Sequence, residues 1–227
     1  MPKAPLDRSV AAVDRTLRIL DAFVADAGTQ TLGQLEQKTG LFKSVICRYL
    51  LSFERSGYIV KAGDAGYRLG PSAFRLGRAY DPVQNLGEHV MPVLKRLAAS
   101  TAESASFYIR DDARRLCLYR VDSPHSLRVS VQQGSLLPID DSATGQVFKR
   151  YRGAAPGIGV AFDDSAITCS SNVGPDLTSS MSVPVFGAGG PLVGALTVSG
   201  PTARFEPRLN HAARRTLARA AGRLSET

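Results

Sequence analysis

The sequence predicts an α+β chain: a helical N-terminal module ending in a short hairpin, a linker helix, and a C-terminal domain built on an antiparallel sheet. Three observations predict it. Apolar residues recur at steps of three and four through residues 10–56, short β-rich segments bounded by turn residues begin near residue 103, and a helical pattern returns at residues 209–224. We assign residues 1–70 to the first module, 71–82 to the linker helix and 83–227 to the second domain.

In "SVAAVDRTLRILDAFVAD", Val10, Val13, Leu17, Leu20 and Val24 form one helical stripe, with Ser9 in place to cap it. The next segment starts with Thr31 and has Gln34 three residues on, the pattern of a capping box. Gly40 ends that short helix, because a residue without Cβ enters the left-handed conformation freely. A second helix follows from Phe42 to Ser56, with Ile46, Tyr49, Leu50 and Phe53 on one side and Ser44, Arg48, Leu51 and Arg55 on the other. Lys43 and Cys47 fall on the flank. Short helix, glycine turn and longer amphipathic helix describe a helix-turn-helix, whose second helix enters the major groove of DNA. "GYIVKAGDAGYRLG" then gives strands at Tyr58–Val60 and Tyr67–Leu69 around a Gly63–Gly66 turn. A hairpin directly behind a recognition helix is a wing, and its Lys61 and Arg68 are suited to phosphate contact. The DNA-facing set is thus Thr31, Lys43, Ser44, Val45, Cys47, Arg48, Lys61 and Arg68.

Beyond the linker helix and a break at Asp81-Pro82, Val83, Leu86, Val90, Leu94 and Leu97 mark another helix, with Pro92 expected to kink it. "ESASFYIR", "RRLCLYRVD" and "LRVSVQQG" are read as strands, and "MSVPVFGAGGPLVGALTVSGP" as a hairpin turning at Gly187–Gly190. In the last helix Leu209, Ala213, Leu217, Ala220 and Leu224 face inward, with Arg208, Arg215 and Arg219 outside.

The stretches "AAVDRTLRILDAF", "GLFKSVICRYLLSFERSGYI" and "GYRLGPSAFRLG" resemble the IclR family of bacterial transcriptional regulators. Arg120-Val121-Asp122-Ser123, Ser142-Ala143-Thr144-Gly145, "SSMSVPVF" and "GALTVSGP" carry the likeness into the second domain. The resemblance implies a winged helix-turn-helix joined to a GAF-like effector domain that binds a small, often carboxylate-bearing metabolite. It also implies a homodimer or tetramer on a palindromic double-stranded DNA operator. This chain departs from the family pattern. Phe42, Val45 and Cys47 replace its usual proline, threonine and histidine. Ser170, Val173 and Gly187 stand at its acidic and final signature positions, with Ser180 at its Cys/Ser position, and the segment after Gly145 is shortened.

A site for such a metabolite needs a few aimed donors in an apolar hollow. The candidates are Ser142, Thr144 and the Gly145 amide, with Ser170 and Ser180 opposite and Arg128 to neutralise a carboxylate. Each serine has the alternative of satisfying a nearby turn.

Charge and composition agree with this division. Residues 1–80 carry 12 basic against 7 acidic side chains and residues 206–227 carry 5 against 2, while the middle is balanced. That suits a polyanion partner for the N-terminal module. No apolar run approaches the roughly 20 residues of a bilayer span, and the N-terminus has no apolar signal core, so a cytoplasmic protein without membrane contact is expected. Cys47, Cys117 and Cys169 lack metal-ligand spacing. His89, His125 and His211 lie far apart, and Asp111-Asp112, Asp140-Asp141 and Asp163-Asp164 fall in turns. No catalytic residue, metal or cofactor is expected. Two alternatives are a DNA-binding protein whose shortened second domain only dimerises, and a GAF-like redox protein using Cys169.

Overall fold

The structure is a computed structural model that describes residues 9–24, 28–80, 86–152, 162–173, 177–187, 190–206 and 210–225. The chain divides into two compact units, residues 1–82 and 83–227.

In the first unit α1 spans Ala11–Val24, α2 Leu32–Thr39 and α3 Lys43–Arg55. The Thr31 hydroxyl accepts from the Gln34 amide while the Gln34 side chain accepts from the Thr31 amide, so the expected capping box forms. Gly40 closes α2 at φ 67°. Leu35, Ile46, Leu50 and Phe53 join Ile19, Ala22 and Phe23 in one buried cluster.

The structure corrects the reading of α1. Val10, Val13, Leu17 and Val24 are all more than half exposed, and the buried side is Ile19, Ala22 and Phe23, with Leu20 partly covered. The helix is apolar on two sides, and spacing does not say which of them meets the core. The helix also starts one residue after Val10, leaving Val10 rather than Ser9 at the cap position.

The wing is β1 (Ile59–Lys61) against β2 (Tyr67–Leu69), in the register Ile59 opposite Leu69. A 3₁₀ turn over Gly63–Ala65 joins them. Gln30 adds a bridge to Tyr67, tying the entrance of α2 to the wing. This needs glycine at 66, where φ is 117° and a Cβ would stand 2.4 Å from the Gln30 carbonyl oxygen. Helix α4 (Pro71–Ala79) belongs to the same unit: the Ser72 hydroxyl donates to the Ser56 carbonyl at 2.8 Å. The break expected at Asp81-Pro82 and the stripe residue Val83 lie outside the described residues.

The second unit is one six-stranded antiparallel sheet in the order β5-β4-β3-β8-β7-β6. Its strands are β3 Ser104–Asp111, β4 Arg114–Val121, β5 Leu136–Pro138, β6 Thr168–Val173, β7 Thr178–Phe186 and β8 Leu192–Pro201. Helix α5 (Leu86–Thr101) carries Pro92 within it, and Leu86, Val90, Leu94 and Leu97 are buried as expected. Helix α7 (His211–Ser225) buries Ala213, Leu217, Ala218, Ala221 and Leu224. Arg215 and Arg219 are exposed, and Arg208 and Leu209 are not among the described residues. Both helices share one buried cluster with Phe107, Met181, Val183, Leu196 and Val198.

One local reading changes. Leu127–Gly134 is not a strand; the ladder to β4 starts at Leu136. The preceding loop is held through Gly134 N–H to Cys117 O at 2.7 Å and Cys117 N–H to Ser135 O at 3.0 Å. The Ser142–Gly145 segment is the cap and first turn of a helix, α6 (Ala143–Arg150). The polar stretch around Cys169 is the edge strand β6.

Replacing Gly66 with alanine should destabilise the first unit by about 1–3 kcal/mol through backbone strain and the clash with Gln30. An unchanged thermal unfolding profile would mean that the wing and α2 part without cost.

Candidate nucleic-acid interface and ligand face

Ile46, Leu50 and Phe53 fix the rotation of α3 about its axis, because side chains three and four apart share a side of the helix. Lys43, Ser44 and Arg48 are consequently exposed, with Val45 and Cys47 half-buried. Lys43 Nζ lies 3.6 Å from Glu36 of α2, so that cation is already partly neutralised. Arg48 has no ion-pair partner among the described residues. Lys61 and Arg68 are exposed on the wing. Thr31 is engaged in the α2 cap through both its hydroxyl and its amide.

One residue that sequence reasoning passed over joins this surface. Arg15 of α1 borders a notch of about 400 Å³ together with Val45, Arg48, Tyr49 and Ser52 of α3. The side of α1 that enters the core at Ile19 also carries Arg15, one turn earlier, to the notch beside α3, which no local pattern in the sequence signals.

In the second unit the pairing register sorts side chains by face, since cross-strand partners project together. Phe107 pairs with Leu196 and Met181 with Val198 on the apolar face under α5 and α7. The opposite face carries a row Arg120–Ser106–Thr197–Ser182–Thr168 and a second row Ser104–Ser199–Ser180–Ser170. Here the proposed effector residues are found, and most are bonded to one another. The Ser170 and Ser180 hydroxyls lie 2.9 Å apart, and Ser170 accepts from the Ala143 amide at 2.9 Å. The Thr144 and Thr197 hydroxyls are 2.9 Å apart, with Ser182 at the same distance from Thr197. Ser142 caps α6 by accepting from the Gly145 amide and donates to Asp140. These groups anchor α6 to the sheet.

The buried arginines of this face also escaped the sequence reading as site residues. Arg120 donates to Asp122 at 2.7 Å, to Ser106 at 2.9 Å and to the Val129 carbonyl, which ties the 127–134 loop to the sheet. Arg115 is 7% exposed, reaches Asp140 at 3.4 Å and lies over the Tyr108 ring, while its Nε has no hydrogen-bond partner. Burial, with Cys117 beside it, pushes the Tyr108 phenol up to about 12, and burial also raises the Cys117 thiol. Both are therefore neutral at pH 7.

Arg128 stands apart from the serines. It borders a hollow of about 630 Å³ with Leu127, Asn172, Leu177, Pro201 and Thr202. Cys169 packs against the apolar cluster, and its sulfur accepts from Arg214 Nη1 at 3.0 Å. Arg214 in turn grips Asp164, whose carboxyl is held below its usual range by that guanidinium. The aspartates behave as turn residues: Asp140 accepts from the Ser142 amide and Asp163 from the Ser165 amide. Among the described residues no group of three or more His, Cys, Asp or Glu is arranged to hold a metal, and no helix is long and apolar enough to cross a membrane.

The IclR helix-turn-helix family model matches residues 12–63, and the model for the C-terminal region of the bacterial transcriptional regulator IclR matches residues 79–155. The chain belongs to the IclR family. This is a family of transcriptional regulators. The IclR-family chain is 28% identical over 148 residues to the transcriptional repressor IclR of Escherichia coli K12, covering 64% of this chain and 54% of that protein. It is 24% identical over 170 residues to the glycerol operon regulatory protein of Streptomyces coelicolor, covering 74% and 67%. It spans about half the length of the first of these repressors. Among solved structures, an IclR homologue from Microbacterium hydrocarbonoxydans in complex with 4-hydroxybenzoate superposes with a TM-score of 0.78 at 16% identity, covering 94% of this chain and 97% of that one. An IclR-type regulator from Alicyclobacillus acidocaldarius gives 0.74 at 21%, covering 96% and 98%. These likenesses establish the α+β fold with an N-terminal helix-turn-helix.

Thr197→Val should leave the buried Thr144 hydroxyl without its partner and cost about 1–3 kcal/mol, whereas the double change Thr144→Val, Thr197→Val should recover part of the loss. Urea midpoints that fall additively would show that the pair is not coupled.

Proposed function

We propose that this chain is a DNA-binding transcriptional regulator that reads a palindromic operator as a homodimer and responds to a small acidic metabolite. The observation that carries the DNA reading is the fixed orientation of α3: its apolar side is locked into the first unit and Ser44 and Arg48 are exposed on the other. Arg48 has the fork geometry to bridge the N7 and O6 acceptors of guanine. Val45 is fit to pack on a thymine methyl, and Lys61 and Arg68 to meet phosphate. Self-association is supported by the outward stripe Val10, Val13, Leu17 and Val24 of α1, a contiguous apolar strip on a helix whose other side is in the core. Two-fold protein symmetry then implies two-fold symmetry in the DNA.

For the metabolite, the hollow beside Arg128 has a volume in the range of ligand sites, with Leu127, Leu177 and Pro201 to cover an apolar body and Arg128 to meet a carboxylate. Ser142, Thr144, Gly145, Ser170 and Ser180 enter this reading as the support of α6. A ligand acts by favouring one arrangement of the protein over another, which changes operator affinity by that difference.

Arg48→Ala should weaken binding to a duplex selected from a random pool by the wild-type protein more than to unselected duplex; equal losses would make Arg48 a phosphate contact. Lys61→Ala should reduce the slope of log affinity against log salt by about 0.9, and an unchanged slope removes Lys61 from the interface. In a thermal-shift screen of mono- and dicarboxylates, a stabilising acid should lose about tenfold in affinity with Arg128→Ala. If no acid stabilises the protein, the second unit serves association alone.

A further inference from the structure

The notch between α1 and α3 is walled by two guanidinium groups, Arg15 and Arg48, by the apolar Val45, and by Tyr49 and Ser52. Among the described residues no carboxylate borders it, and neither arginine forms an ion pair. Asp14, the nearest acid in sequence, accepts from the Ser9 hydroxyl at 2.8 Å. Two like charges held beside one cleft repel, so the arrangement is relieved when an anion enters between them. Val45, Arg48, Tyr49 and Ser52 follow the i, i+3, i+4, i+7 pattern, one continuous side of α3, so the cleft runs along the helix that meets DNA. An anion seated there while α3 lies in a groove is one of the phosphates lining that groove.

We propose that this notch seats one backbone phosphate of the bound duplex and that Arg15 is its ligand. The inference rests on the regulator reading above. Arg15 then supplies position and not sequence information. Arg15 is fixed for the task by its place on α1: one turn further on, Ile19 is fully buried, so the helix cannot rotate away from α3. On the opposite side of α1, about 180° round the axis at 100° per residue, stand Val13, Leu17 and Val24. One helix thus joins the phosphate seat to the self-association surface.

The test measures affinity against salt for wild type, Arg15→Ala and Arg15→Lys, on the selected duplex and on unselected duplex of equal length. Arg15→Ala should lower the slope by about 0.9 and weaken both duplexes alike, on the order of tenfold, while Arg15→Lys keeps the slope because the charge remains. An unchanged slope in Arg15→Ala overturns the proposal, and so does a loss confined to the selected duplex, which would make Arg15 a base reader. If the alanine variant melts early, Arg15→Gln carries the same comparison. Wild-type protein that binds neither duplex refutes the regulator reading itself; wild-type binding that depends on Lys61 but not on Arg15 refutes only the phosphate seat.

Discussion

Three side chains, Ile46, Leu50 and Phe53, decide what the N-terminal unit can present. Each is essentially withdrawn from water, and burying such a group is worth about 1.5–3 kcal/mol, so turning α3 by even a quarter of a revolution would forfeit most of that stabilisation. The orientation of Ser44 and Arg48 is therefore a by-product of hydrophobic packing. Polar residues gain their outward aim from apolar ones, and the chemistry of the surface is set from beneath.

The second unit solves a different problem with the same sheet on two sides. Its apolar face binds α5 and α7 through aliphatic contact, which tolerates small adjustments. Its other face holds α6 through a smaller apolar cluster, Val147 and Phe148 against Tyr108, Cys117 and Ala195, and adds discrete bonds among Ser170, Ser180, Thr144, Thr197 and Ser182, which tolerate few. Each buried hydroxyl left without a partner would cost about 1–3 kcal/mol, so the network holds as a set.

Much of the fold was legible from periodicity and punctuation. Thr31, Gln34 and Gly40 marked α2 because capping and left-handed backbone are local chemistry, and the α3 pattern was clear because only one of its sides is apolar. Where two answers satisfied the same local rule, the sequence did not choose. Helix α1 has apolar residues on both sides, and the outward set has the cleaner spacing. Leu127–Gly134 alternates like a strand, yet its neighbour β4 is engaged by Leu136–Pro138 and by backbone bonds to Gly134 and Ser135. The hydroxyls illustrate the limit for site residues: one that greets a ligand and one that, like Thr144, greets Thr197 look the same in a one-dimensional string. Arg15 was missed for a related reason, since nothing local distinguishes a guanidinium beside a cleft from one in open solvent.

The margins of the six-stranded sheet limit what can pair with its backbone. One margin, β5, is only three residues long and ends in Pro138, which has no amide hydrogen to offer. At the other, the register of β6 slips between Ser170 and Val173, and Asn172 adopts a positive φ of 57°. Neither rim presents a long straight row of open backbone groups, so templated growth from one sheet to the next is disfavoured. Any contact between C-terminal units would then fall to side chains on helices and loops, where shape and charge can discriminate among partners, and not to the indiscriminate grammar of the peptide bond.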